Sequence, residues 1–215
     1  YRSSRGLGDV YKRQVAIHSE NRPEWFIADI GIQSLGAVSV GLYPTNPASE
    51  VEYLLSHSES KILFAEDQEQ VDKALQVIEN LPLLEKIVYF EDRGLYSYDH
   101  PKLMRFDEFL EIGKSEYESF PEYVDQQLEE INDEDVAFLV YTSGTTGKPK
   151  GSMITHGNIS WVASQIPNFS LVENVKAKDP QFLSYLPLCH IFGRLTDLLI
   201  ASHTMATINL SLIHI

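Results

Sequence analysis

The chain has 215 residues, 43% hydrophobic and 22% charged, with a net charge of -14 and a pI near 4.8. That is enough for one large domain or two small ones, and so acidic a balance excludes the basic footprint of a nucleic-acid binder. The single cysteine excludes a disulfide framework and fits a reducing compartment, and no run approaches the roughly eighteen apolar residues of a membrane-spanning helix.

In chain order, Val15-Ala16-Ile17 is expected as a short strand. Asn21-Arg22-Pro23-Glu24 starts a helix, with proline in the first turn and an acid beside it, and Gly36 ends that helix. A second strand, Val38 to Tyr43, is closed by Pro44 and Pro47, and a helix follows from Ser49 to Leu55. Lys61 to Ala65 is a third strand. Val71 to Leu81 is a helix, with Val71, Ala74, Leu75 and Ile78 on one buried face. Lys86 to Phe90 is a fourth strand. The alternation predicts an α/β fold with a mostly parallel sheet.

Glu91 to Lys102 reads as a polar loop, and Phe106 to Glu130 as an acidic, solvated helical stretch broken near Pro121. Asp135 to Val140 is a buried strand. Phe182 to Pro187 is another, followed by an apolar helix from Ile191 to Ser202 and a further strand over Met205 to Asn209.

The segment Tyr141 to Gly151, YTSGTTGKPKG, directly after the buried strand, carries the chemistry. No apolar core needs this composition, but a phosphate chain does. Glycines admit close backbone approach, successive N–H groups make an anion nest, hydroxyls donate, and lysines neutralise charge. It is not a P-loop. That pattern needs glycine where Thr142 stands and Ser or Thr where Pro149 stands.

YTSGTTGKPKG, followed by Ser152-Met153-Ile154-Thr155-His156, resembles the phosphate-binding signature of the adenylate-forming enzymes, which include acyl-CoA synthetases, luciferases and peptide-synthetase adenylation domains. A second block, YLPLCHIFGR over Tyr185 to Arg194, is similar to the family motif that lines the acyl pocket. SENRPEW, GLYPTNPASEVEYLL and LEKIVYF look most like the long-chain fatty acid–CoA ligases. The resemblance covers residues 15–209 and implies part of the large N-terminal domain of such an enzyme. The alternatives are another carboxylate-adenylating enzyme, acting on aryl acids or loading a carrier protein, and a non-catalytic nucleotide-binding remnant.

The resemblance implies that a carboxylate attacks the α-phosphorus of ATP, releasing pyrophosphate, and that coenzyme A then takes the acyl group from the acyl-adenylate. Thr142, Ser143, Thr145 and Thr146 would offer hydroxyls to the phosphates, Gly144 and Gly147 unobstructed N–H groups, and Lys150 a charge. His190 would sit near the substrate carboxylate and α-phosphate. Cys189 and His156 are read as packing and helix start, and Arg194 is left open. ATP, magnesium and coenzyme A are the expected co-substrates and a fatty acid the expected partner. No metal site is proposed. The family's base, ribose and hinge motifs and its C-terminal lysine are not found in the chain, so little ligase activity is expected of it alone. A cytoplasmic location is expected, with peripheral membrane association left open.

The two ends stand apart. One codon choice for Leu210 to Ile215, CTG TCT CTT ATA CAC ATC, has the reverse complement GAT GTG TAT AAG AGA CAG, which encodes Asp9 to Gln14. One adapter sequence read at both ends would give this pair, so residues 1–14 and 210–215 are expected to be non-native. Residues 1–14 hold four basic residues and one acidic, and without them the net charge becomes -17.

Overall fold

Seven strands form one sheet in the computed structural model, which describes residues 14–142, 147–168 and 180–210. The first half of the chain alternates as the sequence predicts: β1 (Gln14–His18), α1 (Pro23–Ser34), β2 (Val38–Leu42), α2 (Ala48–His57), β3 (Ile62–Ala65), α3 (Gln68–Gln76) and β4 (Lys86–Tyr89). A short β5 (Leu103–Arg105), α4 (Phe106–Ser119) and α5 (Tyr123–Glu130) lead to β6 (Val136–Thr142) and β7 (Lys150–Thr155). The strand order is β5-β4-β3-β1-β2-β6-β7, parallel throughout except for the β6–β7 pair.

Helices cover both faces, which is why the central strands read as apolar runs: all five residues of β2 are buried. On one face α2 and α3 set Val51, Leu54, Leu55, Val71 and Ala74 against Ala16, Val40 and Leu63. On the other, α1 sets Trp25, Ala28 and Ile32 against Ile17, Phe64 and Val88. Alternate strand residues divide between the faces, as the two-residue period of a strand requires.

The caps follow from the sequence. Pro23 opens α1, and Gly36 follows its end with φ of 65°, a left-handed conformation that favours glycine. The Asp67 carboxylate accepts the Glu69 N–H at the start of α3. The break near Pro121 appears between α4 and α5, and no residue of either helix is buried, as a solvated acidic stretch requires.

Beyond β7 lie α6 (His156–Gln165), β8 (Gln181–Ser184), α7 (residues 191–204) and β9 (Thr207–Leu210). β8 and β9 pair in parallel as a separate two-stranded sheet. α7 begins with an α turn at Ile191–Gly193, winds as a π-helix over Arg194–Ile200 and returns to α at Ala201–Thr204. No helix among the described residues is long and apolar enough to cross a membrane. Residues 1–13 and 211–215 lie outside the described residues. Gln14 and Leu210, also assigned to the expected non-native ends, open β1 and close β9.

Candidate active site

β6 is buried from Ala137 to Tyr141 and reaches the surface at Thr142. β7 returns antiparallel beside it, with Tyr141 opposite Gly151 and Thr142 opposite Lys150. The described ends of the phosphate-type segment, Tyr141–Thr142 and Lys150–Gly151, are therefore paired side by side at the carboxyl end of β6. Ser143, Gly144, Thr145 and Thr146 lie outside the described residues. Gly147 has φ of +153°, and Lys148 and Lys150 are exposed.

The returning limb is tied to α2. The Tyr53 hydroxyl donates to the Pro149 carbonyl at 2.9 Å, and the Lys148 ammonium lies 4.9 Å from the Tyr53 ring centroid. His57 Nδ1 meets the Tyr141 hydroxyl at 2.8 Å. Pro149 stands between the two lysines, so fixing its carbonyl fixes the backbone from which both project.

A cleft of about 390 Å³ opens beyond the carboxyl ends of the adjacent parallel strands β2 and β6. Strand ends of this kind are where ligands bind in open α/β sheets. Thr142 and Pro149 wall it on one side, Tyr43, Asn46 and Glu50 on another, and His190 on a third. Thr142 and His190, 48 positions apart, thus share one cleft.

His190 caps α7: its Nδ1 accepts the Phe192 N–H at 3.1 Å. A ring nitrogen that accepts carries no proton, so in the neutral ring the hydrogen sits on Nε2. Nε2 has no partner among the described residues. Cys189 packs against Gly41, and burial pushes its thiol up to about 12. A thiol so raised is no nucleophile, in keeping with a packing role. His156 begins α6 after a Thr155–Asn158 capping box, and burial lowers its pKa.

One residue past His190 the surroundings change. Ile191 faces an apolar cavity of about 370 Å³ between α1, α6 and α7, walled by Phe26, Ile30, Phe138, Ile159 and Leu198. Arg194 lies at its base, 4% exposed. Its guanidinium is 3.1 Å from Asp29, donates to Ser39 Oγ and the Leu188 carbonyl, and stacks 4.1 Å from the Phe138 centroid. Arg194, left open by the sequence, is therefore an internal tie between α7, α1 and β2. Tyr43, Asn46 and Glu50 were not singled out. For Asn46 the signal was the polar pair Thr45-Asn46 between Pro44 and Pro47 at a strand end.

These features match a known family over nearly the whole chain: the AMP-binding enzyme family aligns with residues 4–211. The chain belongs to the AMP-binding enzymes. It is 36% identical over 184 residues to the long-chain-fatty-acid–CoA ligase ACSBG2 of Xenopus laevis, covering 86% of this chain and 24% of that protein. It is 34% identical over 191 residues to ACSBG2 of Homo sapiens, covering 86% and 26%. The chain thus spans about a quarter of these relatives. Its fold is shared with the anthranilate CoA ligase AuaEII in complex with anthranoyl-AMP, at a TM-score of 0.69, 23% identity, and coverage of 93% of this chain and 35% of that one. It is shared also with a red-emitting luciferase from Phrixothrix hirtus, at a TM-score of 0.66, 22% identity, and coverage of 92% and 36%.

Proposed function

We propose that this AMP-binding chain is the phosphate-holding and acyl-wall portion of an ATP-dependent fatty acid–CoA ligase. The observation that carries the proposal is the change of surroundings at the start of α7. His190 lines a cleft of mixed character with Asn46, Glu50 and Thr142, beside the exposed Lys148 and Lys150, and Ile191 lines an apolar cavity. A reaction that joins a nucleotide phosphate to an apolar acid needs such a boundary. The ACSBG2 relatives, named as long-chain-fatty-acid ligases, support the fatty-acid branch.

In the first half-reaction a carboxylate oxygen attacks the α-phosphorus of ATP, and the bond to the pyrophosphate oxygen breaks. In the second, the thiol of coenzyme A attacks the acyl carbon and AMP leaves. Displacement at phosphorus asks the protein for alignment and charge stabilisation rather than for a nucleophile. The exposed Thr142 hydroxyl and the Lys150 ammonium, on paired strands, supply a donor and a charge for the leaving phosphates. Nε2–H of His190 is a donor for an oxygen of the substrate carboxylate or α-phosphate.

Among the described residues no group of three or more His, Cys, Asp or Glu side chains is placed to hold a metal ion, and the cleft-wall carboxylate, Glu50, is hydrogen-bonded to Asn46.

The test is carboxylate-dependent exchange of pyrophosphate into ATP by the protein extended to the length of its relatives, across fatty, aryl and amino acids. Fatty acids should drive exchange. A preference for aryl or amino acids would favour the other adenylating branches, and no exchange with any acid would favour a non-catalytic remnant. The 215-residue chain alone should show none.

A further inference from the structure

Asn21, in the loop after β1, spends its whole carboxamide on a segment more than 160 positions away. Nδ2 donates to Ser184 Oγ at 2.9 Å and to the Leu186 carbonyl at 2.8 Å, and Oδ1 accepts the Leu188 N–H at 2.9 Å. The carbonyl of one residue and the N–H of the second residue on are the pair that a neighbouring strand would engage. The carboxamide therefore stands in for a strand and reads one register of the backbone. Among side chains of this length only asparagine offers donor and acceptor together.

The segment so held leads into His190. The Leu188 carbonyl accepts from Arg194 Nε at 3.1 Å, and the His190 N–H bonds to the Pro187 carbonyl at 2.9 Å. Beneath the turn there is no slack: a Cβ on Gly41 would lie 2.8 Å from Cys189 Cα, and one on Gly193 only 2.5 Å from the Pro187 oxygen. Asn21 holds one side of the turn, Arg194 the other, and β2 lies beneath. The product of these restraints is the cap geometry in which Nδ1 of His190 accepts and Nε2–H is left for the cleft.

We infer that Asn21 is a positioning residue that sets the place and tautomer of His190. This rests on the proposed role of His190 in adenylation, but it can be tested without that reaction.

The experiment is nitrogen-15 spectroscopy of the His190 ring, with amide hydrogen exchange, on the 215-residue chain and its Asn21→Ala and Asn21→Asp variants. The native chain should show one tautomer, protonated at Nε2, and a protected Leu188 amide. Asn21→Ala should mix the tautomers and speed Leu188 exchange by about tenfold or more, the value of one lost hydrogen bond of ordinary strength. Amides of β3 and β4 should not change. Asn21→Asp keeps the acceptor for Leu188 but loses both donors, so it should fall between.

A single unchanged tautomer with unchanged Leu188 exchange in a folded variant would overturn the assignment. Loss of the protected sheet amides in both variants would also overturn it, making Asn21 a general folding residue. Failure of pyrophosphate exchange in the extended protein would sink the adenylation reading and leave this result standing.

Discussion

Two hollows open at the carboxyl edge of the same sheet, and the larger is the more acidic. The basin beyond β1, β3 and β4 has a volume of about 1090 Å³ against about 390 Å³ for the cleft beyond β2 and β6. Yet seven carboxylates line the basin against two arginines. One of those arginines is already spent. Arg22 lies 2.7 Å from Glu24, 3.2 Å from Glu91 and 3.8 Å from Glu66. Burial first, and then the neighbouring Glu66, raise the pKa of Glu20 there. The small cleft is lined by one carboxylate, Glu50, with a hydroxyl at the end of β6, a histidine whose Nε2 has no partner among the described residues, and the exposed Lys148 and Lys150 on the neighbouring strand limb. For a polyanion the sign and freedom of the charges decide, and volume does not.

The largest effect is expected from removing the charge beside the small cleft. Lys150→Ala in the extended protein should lower pyrophosphate exchange about a hundredfold, the scale of one lost transition-state donor. Unchanged exchange would remove the hairpin from the mechanism.

The next effect belongs to stability. His18, buried at the end of β1, has its pKa lowered to about 4, first by burial and then by Lys73. Its folded pKa is depressed while the unfolded chain binds a proton below about 6.5, so stability is full above 6.5 and is lost as pH falls toward 4. Between pH 6.5 and 5 the loss should be about 2 kcal/mol in urea titrations, and His18→Leu should flatten that slope.

Arg22→Ala should then cost about 1–2 kcal/mol, because it leaves three carboxylates of the basin without their counter-charge. Pyrophosphate exchange should stay within about twofold if the basin takes no part in nucleotide binding. The smallest effect is expected of Tyr53→Phe, which frees the Pro149 carbonyl. It should raise the KM for ATP by a few fold, in line with about 1 kcal/mol for one hydrogen bond, with kcat little changed.

The sequence made one of these hollows legible and hid the other. Thr142, Lys150 and His190 could be named because their chemistry sits in contiguous motifs. The alternation of β1 to β4 with α1 to α3 was legible because each element has an apolar face of the right period. β7 was not. KGSMIT runs along the sheet edge largely exposed, so no apolar alternation marks it as a strand. β5 has three residues, too few to show a period. Asn21 could not be read because its meaning lies in partners at positions 184 to 188, and distance along the chain carries no local signal. The basin was hidden for a similar reason: its carboxylates come from separate loops and from the first turns of α1 and α3, which only the parallel winding gathers.

The π-wound stretch of α7 also bears on how the family can vary. Each bond there spans one more residue than in an α-helix, so Arg194–Ile200 stores spare length between two fixed ends. The His190 cap holds one end, and the buried Ala201 the other. Loss of one residue from within the stretch could be taken up by tightening to α winding. In an ordinary α-helix the same deletion would swing everything beyond it by about 100°. The wall of the apolar cavity can therefore lose a residue from this stretch without disturbing the cap at His190.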